Sequence, residues 1–335
     1  MSAGQTPKAL IITRREIARA MKPADYLRAV ERAFLAAATG KAFSPHPMHL
    51  PAKGGGFHAK GASISMDRDY VAVKVNGNFP GNPAEFGLPT IQGAILLFDG
   101  RNGALLAILD SIEVTLRRTA AASALAARLL ARPDSRSLLI CGCGVQGHAH
   151  VEAIREVLPI ERCLLWDRDH LRAEQLAAKL AVAADFEVDA VRELNMATRS
   201  ADLIVTCTPA QEPFLEFEMV RPGTFIAAVG ADSPDKSELA PRLMAGATVV
   251  TDVRGQCAEM GDLHHAIEAG SMTEADVYAD LGELLVGAKS GRRSPQEIIV
   301  YDSTGTGLQD VAAAAAIYES CSRDGSAQQM GLSAV

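Results

Sequence analysis

The sequence has no surplus of positive charge: 33 Lys and Arg stand against 40 Asp and Glu, a formal net charge of −7. Phosphate backbones are held by clustered Lys and Arg, so an acidic chain without a basic block is a poor nucleic-acid partner. Long apolar runs are also missing. The best candidate, Ala120 to Ala131, carries Arg128 and is too short to span a bilayer. The opening Met1-Ser2-Ala3-Gly4-Gln5 shows no basic stretch followed by an apolar one, so no signal peptide is expected. Cysteines are few, six in 335 residues, and the Cys-x-Cys at Cys141 and Cys143 is unlike a secreted disulfide framework. A reducing cytoplasm is the expected compartment. Metal-ligand spacings are missing too. His46, His49 and His58 lie around a Pro- and Gly-rich stretch, and His264 and His265 are neighbours rather than i, i+4. No metal site is expected from such spacings.

What is present is a globular composition, 48% apolar and 22% charged, which removes disordered and fibrous architectures. At roughly 150 residues per domain the length suggests about two domains. The first 40 residues read as a strand (Ala9 to Thr13) and a helix with Ile17, Met21, Tyr26, Val30 and Phe34 at helical spacing. Pro45, Pro47, Pro51 and Gly54-Gly55-Gly56 then predict a loop. After it the period becomes two. Phe57 to Ser65, Tyr70 to Asn76, Ile91 to Phe98 and Ala104 to Leu109 predict a mainly antiparallel sheet, followed by a helix over Ser111 to Ala131. From Ser137 apolar runs alternate with helical segments. Strands are predicted at Ser137–Cys141, Cys163–Asp167, Phe186–Ala190, Asp202–Cys207, Thr224–Val229, Thr248–Asp252 and Ile298–Tyr301, the pattern of a parallel sheet covered on both faces. Gln309 to Tyr318 predicts a last, alanine-rich helix.

The strongest local signal is Cys141-Gly142-Cys143-Gly144-Val145-Gln146-Gly147, a Gly-x-Gly-x-x-Gly between a predicted strand and a predicted helix. Its glycines suit a tight turn, close approach to a pyrophosphate and helix-to-strand packing, with the helix N-terminus facing the anion. Asp167 follows Gly147 by 20 residues, where an acid would take a ribose 2′-hydroxyl. Together these predict a dinucleotide site built on Gly142, Gly144, Val145, Gln146 and Gly147. The acid favours NAD(H), and Arg168 beside it could offset part of that preference by binding a phosphate. The nicotinamide is expected where later strands end: Cys207-Thr208-Pro209, Val229-Gly230 with Asp232, and Ser303 with Gly305, although a simple turn also explains the last pair. Asp232 reads equally well as the N-cap of a following helix. Lys74 falls on the Tyr70/Lys74/Asn76 face of its strand, opposite Val71, Val73 and Val75, which from pattern alone makes it a lysine on the wet face. Arg117 and Arg118 point about 100° apart on a helix, so one can face inward to bind an anion. Cys141, Cys143 and Cys207 sit at apolar strand ends, as cysteines that pack rather than react.

Val73-Lys74-Val75-Asn76, Pro80-Gly81-Asn82, Gly87-Leu88-Pro89-Thr90-Ile91-Gln92-Gly93, Thr115-Leu116-Arg117-Arg118-Thr119-Ala120-Ala121, Val229-Gly230-Ala231-Asp232-Ser233-Pro234 and Asp302-Ser303-Thr304-Gly305 with Gln309-Asp310-Val311-Ala312 occur in this order across nearly the whole chain. In this the sequence resembles the ornithine cyclodeaminase/μ-crystallin family. The resemblance implies a Rossmann-type doubly wound domain, residues 121–307, and a discontinuous α+β substrate-binding and dimerisation domain with an antiparallel sheet, residues 1–120 and 308–335. It implies a bound NAD(P), narrowed to NAD(H) by Asp167, a homodimer, and chemistry at the Cα–N bond of a small amino or imino acid. Ketimine reduction or amino-acid dehydrogenation leads, with ornithine cyclodeamination and hydroxyproline dehydration as alternatives and a non-catalytic binding protein last, against which the presence of Lys74, Arg118 and Asp232 argues. Arg118 would bind the substrate carboxylate, Lys74 would contact substrate and move a proton, and Asp232 would be the general base. Many members carry a further substrate-binding arginine before the sheet, whereas Pro45 to Phe57 holds none. His46, His49, His58 or Lys60 could stand in, and His58 and Lys60 join the candidate substrate residues.

Overall fold

The structure is a computed structural model and describes residues 8–182 and 185–331. By its contacts the chain divides into two units: one runs to Arg118 and resumes at Thr306, and the other is Thr119–Gly305. Among the described residues no helix is long and apolar enough to cross a membrane.

In the first unit the strands are β1 (Ala9–Ile12), β2 (Ala42–Phe43), β3 (Met48–Ala52), β4 (Gly55–Ser65), β5 (Asp69–Asn78), β6 (Ile91–Asp99) and β7 (Leu105–Asp110). With a closing strand at Gln328–Met330 they form one sheet in the order closing strand, β1, β7, β6, β5, β4, β2, and β3 also pairs with β4. Every pairing is antiparallel except β1 with β7, so the expected mainly antiparallel sheet is present. The N-terminal helix is two helices, Arg14–Ala20 and Pro23–Ala38. Pro23 forces Lys22 out of helical geometry (φ −95°, ψ 166°), and the chain restarts with proline in the first turn.

Two expectations need correction here. The predicted loop at residues 45–56 contains β3, an exposed strand whose Met48–Ala52 pair with Ala59–Gly55 of β4. Proline is compatible with such a strand, because at an edge no ladder donor is needed. The wet-face reading of Lys74 is also wrong. On β5 it is Tyr70, Ala72 and Lys74 that are buried, while Val71 and Val73 are half-buried and Val75 is 39% exposed. Alternation gives two faces without saying which is covered. The lysine face is covered by the Gly307–Asp324 helix, distant in sequence, which packs on β4 and β5. Tyr70 hydroxyl donates to Glu319 of that helix at 2.8 Å.

In the second unit the strands are β8 (Ser137–Cys141), β9 (Arg162–Trp166), β10 (Glu187–Ala190), β11 (Leu203–Thr206), β12 (Phe225–Ala228), β13 (Thr248–Thr251), β14 (Ala279–Asp280) and β15 (Ile299–Asp302). All are parallel, in the order β10-β9-β8-β11-β12-β15-β13-β14. Leu138, Leu139, Ile140 and Cys141 are each fully buried, as are Leu203, Ile204 and Val205 beside them. Continuous apolar strands of this kind require cover on both faces, and each such side chain contributes about 1.5–3 kcal/mol on burial. This is the doubly wound α/β sheet that the sequence predicts, plus the two-residue edge strand β14. The order of winding reverses between β8 and β11, and the crevice beyond their carboxyl ends is where such sheets bind ligands.

Candidate active site

The glycine loop lies at that reversal. Gly142 has φ +107°, and a Cβ there would sit 2.7 Å from the Cys207 carbonyl oxygen, so the turn requires glycine. A Cβ on Gly147 would overlap the Gly142 carbonyl and press on Ile140, which fixes how closely the Val145–Arg155 helix approaches β8. Gly144 differs. Nothing lies within 4 Å of its Cβ position, it caps the helix, and the next residue, Val145, is 73% exposed. The first turn of that helix carries no acid. Open space in front of a bare helix N-terminus suits a diphosphate. Gln146 also leaves its buried side-chain oxygen without a hydrogen-bond partner. Asp167 follows β9, and its carboxylate accepts the Cys143 N–H at 2.8 Å and the Asp169 N–H at 3.0 Å, so the acid is tied to the loop it serves. Arg168 beside it is exposed. These residues fit the adenosine and diphosphate portion of a dinucleotide.

Cys207, Thr208 and Pro209 follow β11, and Val229 and Gly230 follow β12. A single side chain, absent from the sequence-derived candidates, holds these two ends together. Glu238 is fully buried. Its Oε1 accepts from Thr208 N–H (2.6 Å) and hydroxyl (2.7 Å), and its Oε2 from Thr206 hydroxyl (2.7 Å) and Gly230 N–H (2.8 Å). Burial, with the Asp262 charge adding to it, pushes this carboxyl up to about 7 against the pull of those donors. A Cβ on Gly230 would overlap both Glu238 and the Thr208 carbonyl, so only glycine permits the approach. Ser303 and Gly305 are gathered differently: Ser303 hydroxyl (2.9 Å) and Gly305 N–H (2.7 Å) both donate to Asp252. Cys141 and Cys207 thiols are raised well above their ordinary range by burial, which keeps them neutral.

Asp232 lies in an irregular segment, with its side chain 54% exposed and Lys236 Nζ 2.6 Å from its Oδ1. No helix begins there. The next is Pro241–Gly246, capped by Ala240, so the N-cap alternative for Asp232 is set aside.

In the first unit Lys74 and Arg118 are brought together. Asp310 bridges them, with Lys74 Nζ 2.7 Å from Oδ2 and Arg118 Nε 3.0 Å from Oδ1. Lys74, Arg118 and Asp310 are 4%, 5% and 1% exposed. Arg118 also donates to Gln309 Oε1 at 2.6 Å, and Lys74 to Thr115 hydroxyl at 3.3 Å. Arg117, one residue earlier, turns outward to Glu113 at 2.9 Å. Lys60 stands directly opposite Lys74 in the β4–β5 ladder. Burial pushes the Lys74 ammonium down to about 7; Asp310 opposes this, and Arg118 and Lys60 add to it. Asp310 is held below the usual carboxylate range, despite its burial, by the Lys74 and Arg118 charges. With Lys74 protonated, two buried cations share one carboxylate, and the net positive charge is one that a small anion would neutralise. His58 lies on the same strand as Lys60, and its Nδ1 is 3.4 Å from that of His49 across the β3–β4 pair.

The profile of the ornithine cyclodeaminase/mu-crystallin family matches residues 8–325. The chain belongs to this family. It is 40% identical over 242 residues to a Delta(1)-pyrroline-2-carboxylate reductase of Paracoccus denitrificans, covering 71% of this chain and 76% of that one. An archaeal alanine dehydrogenase dimer solved with bound NAD superposes with a TM-score of 0.92 at 33% identity, covering 97% of this chain and 99% of that chain. The Thermococcus litoralis Delta(1)-pyrroline-2-carboxylate reductase, solved with NADH and L-proline, gives 0.91 at 30% identity, covering 95% and 99%.

Within this family member, sequence reasoning passes over Asp310 and Glu238. Asp310 had a usable signal: an acid in the first turn of an alanine-rich helix predicted to pack closely must meet a cation if it is buried. Glu238 had none, because Asp235-Lys236-Ser237-Glu238 reads as a solvated turn.

Proposed function

We propose that this protein is an NAD(H)-dependent oxidoreductase acting at the Cα–N bond of a small amino or cyclic imino acid, most simply a ketimine reductase of the Delta(1)-pyrroline-2-carboxylate type or an amino-acid dehydrogenase. The observation that carries the reading is the buried Lys74–Asp310–Arg118 group, a two-to-one excess of cations suited to one carboxylate. Bound NADH would supply a hydride to the imine carbon. Gly142, Gly144, Val145, Gln146, Gly147 and Asp167 would hold its diphosphate and ribose, and Thr208, Gly230 and their neighbours would seat its nicotinamide. Arg118 anchors the substrate carboxylate through its guanidinium fork. Lys74, whose ammonium sits near neutrality, contacts the substrate and donates or takes back a proton. Asp232 takes the second proton in the oxidative direction. His58 and Lys60 border the same face and are assigned to the substrate's far side.

We further assign the outward face of the antiparallel sheet to a second copy of the chain. Val71, Val73, Val75, Leu96 and Phe98 line it, half-buried or exposed, in an apolar row that a homodimer would cover. Six free cysteines, none paired, suit a cytoplasmic enzyme. A cyclodeaminase outcome is the second reading, because the family includes it and its first step makes the same imine. The test incubates the protein with proline, alanine, ornithine, hydroxyproline and cyclic ketimines while NADH and ammonia are followed together. Stoichiometric NADH change supports the reductase. Ammonia release without net NADH change replaces it with the lyase.

A further inference from the structure

Among the described residues, one set of ligating side chains lies outside everything above: His264, His265 and Glu268, on the short helix Asp262–Glu268. A carbonyl oxygen can only accept a hydrogen bond, and this fixes which nitrogen of each imidazole carries hydrogen. His264 Nδ1 lies 3.3 Å from the Ala258 carbonyl, and His265 Nε2 lies 2.9 Å from the Lys236 carbonyl, so both donate. In the neutral rings the lone pairs are then on His264 Nε2 and His265 Nδ1. Both face one atom, Glu268 Oε2, at 3.4 and 3.9 Å. Lone pairs directed at a carboxylate oxygen repel, and a cation placed among them converts the repulsion into ligation. Ligands about 2.0–2.1 Å from a tetrahedral zinc ion stand about 3.3–3.4 Å from one another, the spacing already present at His264. Glu268, with its side chain 63% exposed, is free to close the remaining distance to His265. A backbone carbonyl behind each ring is the outer support that orients metal-ligating histidines.

We propose that His264 Nε2, His265 Nδ1 and the Glu268 carboxylate form a site for a divalent transition metal of the zinc type, with water as the fourth ligand. Two imidazoles and one carboxylate suit Zn²⁺, Co²⁺ or Ni²⁺ and not the all-oxygen preference of Mg²⁺ or Ca²⁺. The site reaches the segment that carries Asp232. His265 holds the Lys236 carbonyl, and Lys236 Nζ holds Asp232. Asp262, in the same helix, accepts the N–H groups of Glu238 (2.8 Å) and Leu239 (2.9 Å). A bound ion locks the His265 tautomer and with it this strap on the Asp232–Leu239 segment. Its place is therefore regulatory or stabilising, and the ion takes no part in the redox step.

Full-length, NAD-loaded protein is stripped with a chelator and titrated with Co²⁺, read by the visible bands of four-coordinate cobalt, and with Zn²⁺ by calorimetry. One ion per chain is expected, displaced by Zn²⁺ and not by Mg²⁺. Glu268→Gln and His264→Gln should each weaken it by about tenfold or more. Glu268 is exposed, so its variant keeps the fold, and unchanged melting without metal verifies that. Absence of saturable uptake below about 1 mM overturns the site, and the two rings then pair with Glu268 only when protonated. Equal affinity in parent and variants also overturns it and moves the ion to other ligands.

Discussion

Filling the Lys74–Arg118 group with a carboxylate should draw a proton from solution. The free protein holds the Lys74 ammonium near a pKa of about 7 because burial and the neighbouring cations outweigh Asp310. A second carboxylate about 4 Å away, at an effective dielectric of about 20, favours the ammonium by about 4 kcal/mol, or about three pKa units. Allowing for the extra desolvation that the ligand brings, a rise of about two units is a conservative expectation. At pH 7.5 Lys74 then goes from about one quarter protonated to nearly full protonation, an uptake of about 0.7 proton per site. The assay is calorimetry of pyrrole-2-carboxylate, an aromatic analogue that resists reduction, in buffers of different ionisation enthalpy with NAD⁺ present. The slope of apparent enthalpy against buffer enthalpy gives the proton count. Uptake should fade by pH 6, where Lys74 is already charged, and disappear in Lys74→Met. Normal binding with no buffer dependence at pH 7.5 would refute the reasoning, because the ligand would then not be meeting a neutral Lys74.

The dinucleotide half gives three further expectations and the antiparallel sheet one. NAD(H) should bind more tightly than NADP(H) by about 30-fold, since a 2′-phosphate beside Asp167 meets about 2 kcal/mol of repulsion; equal affinities in a fluorescence titration would refute this, and Asp167→Ser should narrow the gap. Glu238→Gln replaces one carboxylate oxygen by an NH₂ that must face the Thr208 or the Gly230 N–H, leaving a buried donor unsatisfied at about 1–3 kcal/mol. The variant should melt several degrees lower and bind NAD(H) at least about tenfold more weakly, with saturated kcat less affected. Asp232→Asn should keep its melting temperature, because no helix depends on it, while kcat falls by at least about 100-fold; near-normal turnover would remove its role as base. Val73→Asp on the outward face of β5 should turn a dimer into monomers by light scattering, and an unchanged mass would assign that face elsewhere.

How much of this was legible in the sequence depends on whether the signal is local. Strand β8 is bounded as its run of apolar residues predicts, and the six other predicted strands of its sheet differ by one or two residues at their ends; a strand buried on both faces announces itself in composition, and only the edge strand β10, half-exposed along its length, lacks that signal. Gly142 and Gly147 were legible because each answers to its own loop, whereas the demand on Gly230 comes from Glu238 and the Thr208 carbonyl. What escaped was decided at long range. The covered side of β5 is set by a helix that begins at Gly307. The partner of Lys74 and Arg118 lies on that helix, and the carboxylate that joins the ends of β11 and β12 lies in a segment whose local character is a polar turn. Strand β3 was hidden by Pro51 within it and Pro45 and Pro47 just before it, and β14 by having only two residues.

The division of labour in this chain also explains why one scaffold serves several outcomes. The proposed carboxylate anchor is built from β5, the Ser111–Leu130 helix and the Gly307–Asp324 helix, whose Lys74 and Arg118 share the single buried carboxylate of Asp310. The cofactor ends of β11 and β12 are pinned by Glu238. On the proposed roles, a carboxylate anchor and a cofactor seat are common to reduction, hydrolysis and trapping by an internal amine, so neither selects among them. That choice falls to side chains at the substrate's far end, and here this chain departs from the arginine-bearing pattern. Its Pro45–Phe57 stretch offers His46 and His49, with His49 beside His58 across the β3–β4 pair and Lys60 two residues farther along β4. Imidazoles and a lysine are softer anchors than a guanidinium, since neither presents the fixed planar fork that meets a carboxylate through two parallel bonds. A compact neutral side chain such as the proline ring is tolerated beside these groups, whereas the distal ammonium of an extended diamino acid is repelled by Lys60 and needs an acid instead. Exchange of His49 for glutamate is therefore the substitution that should move the enzyme toward diamino substrates, read as a lower KM for ornithine, while leaving the anchor at Arg118 untouched.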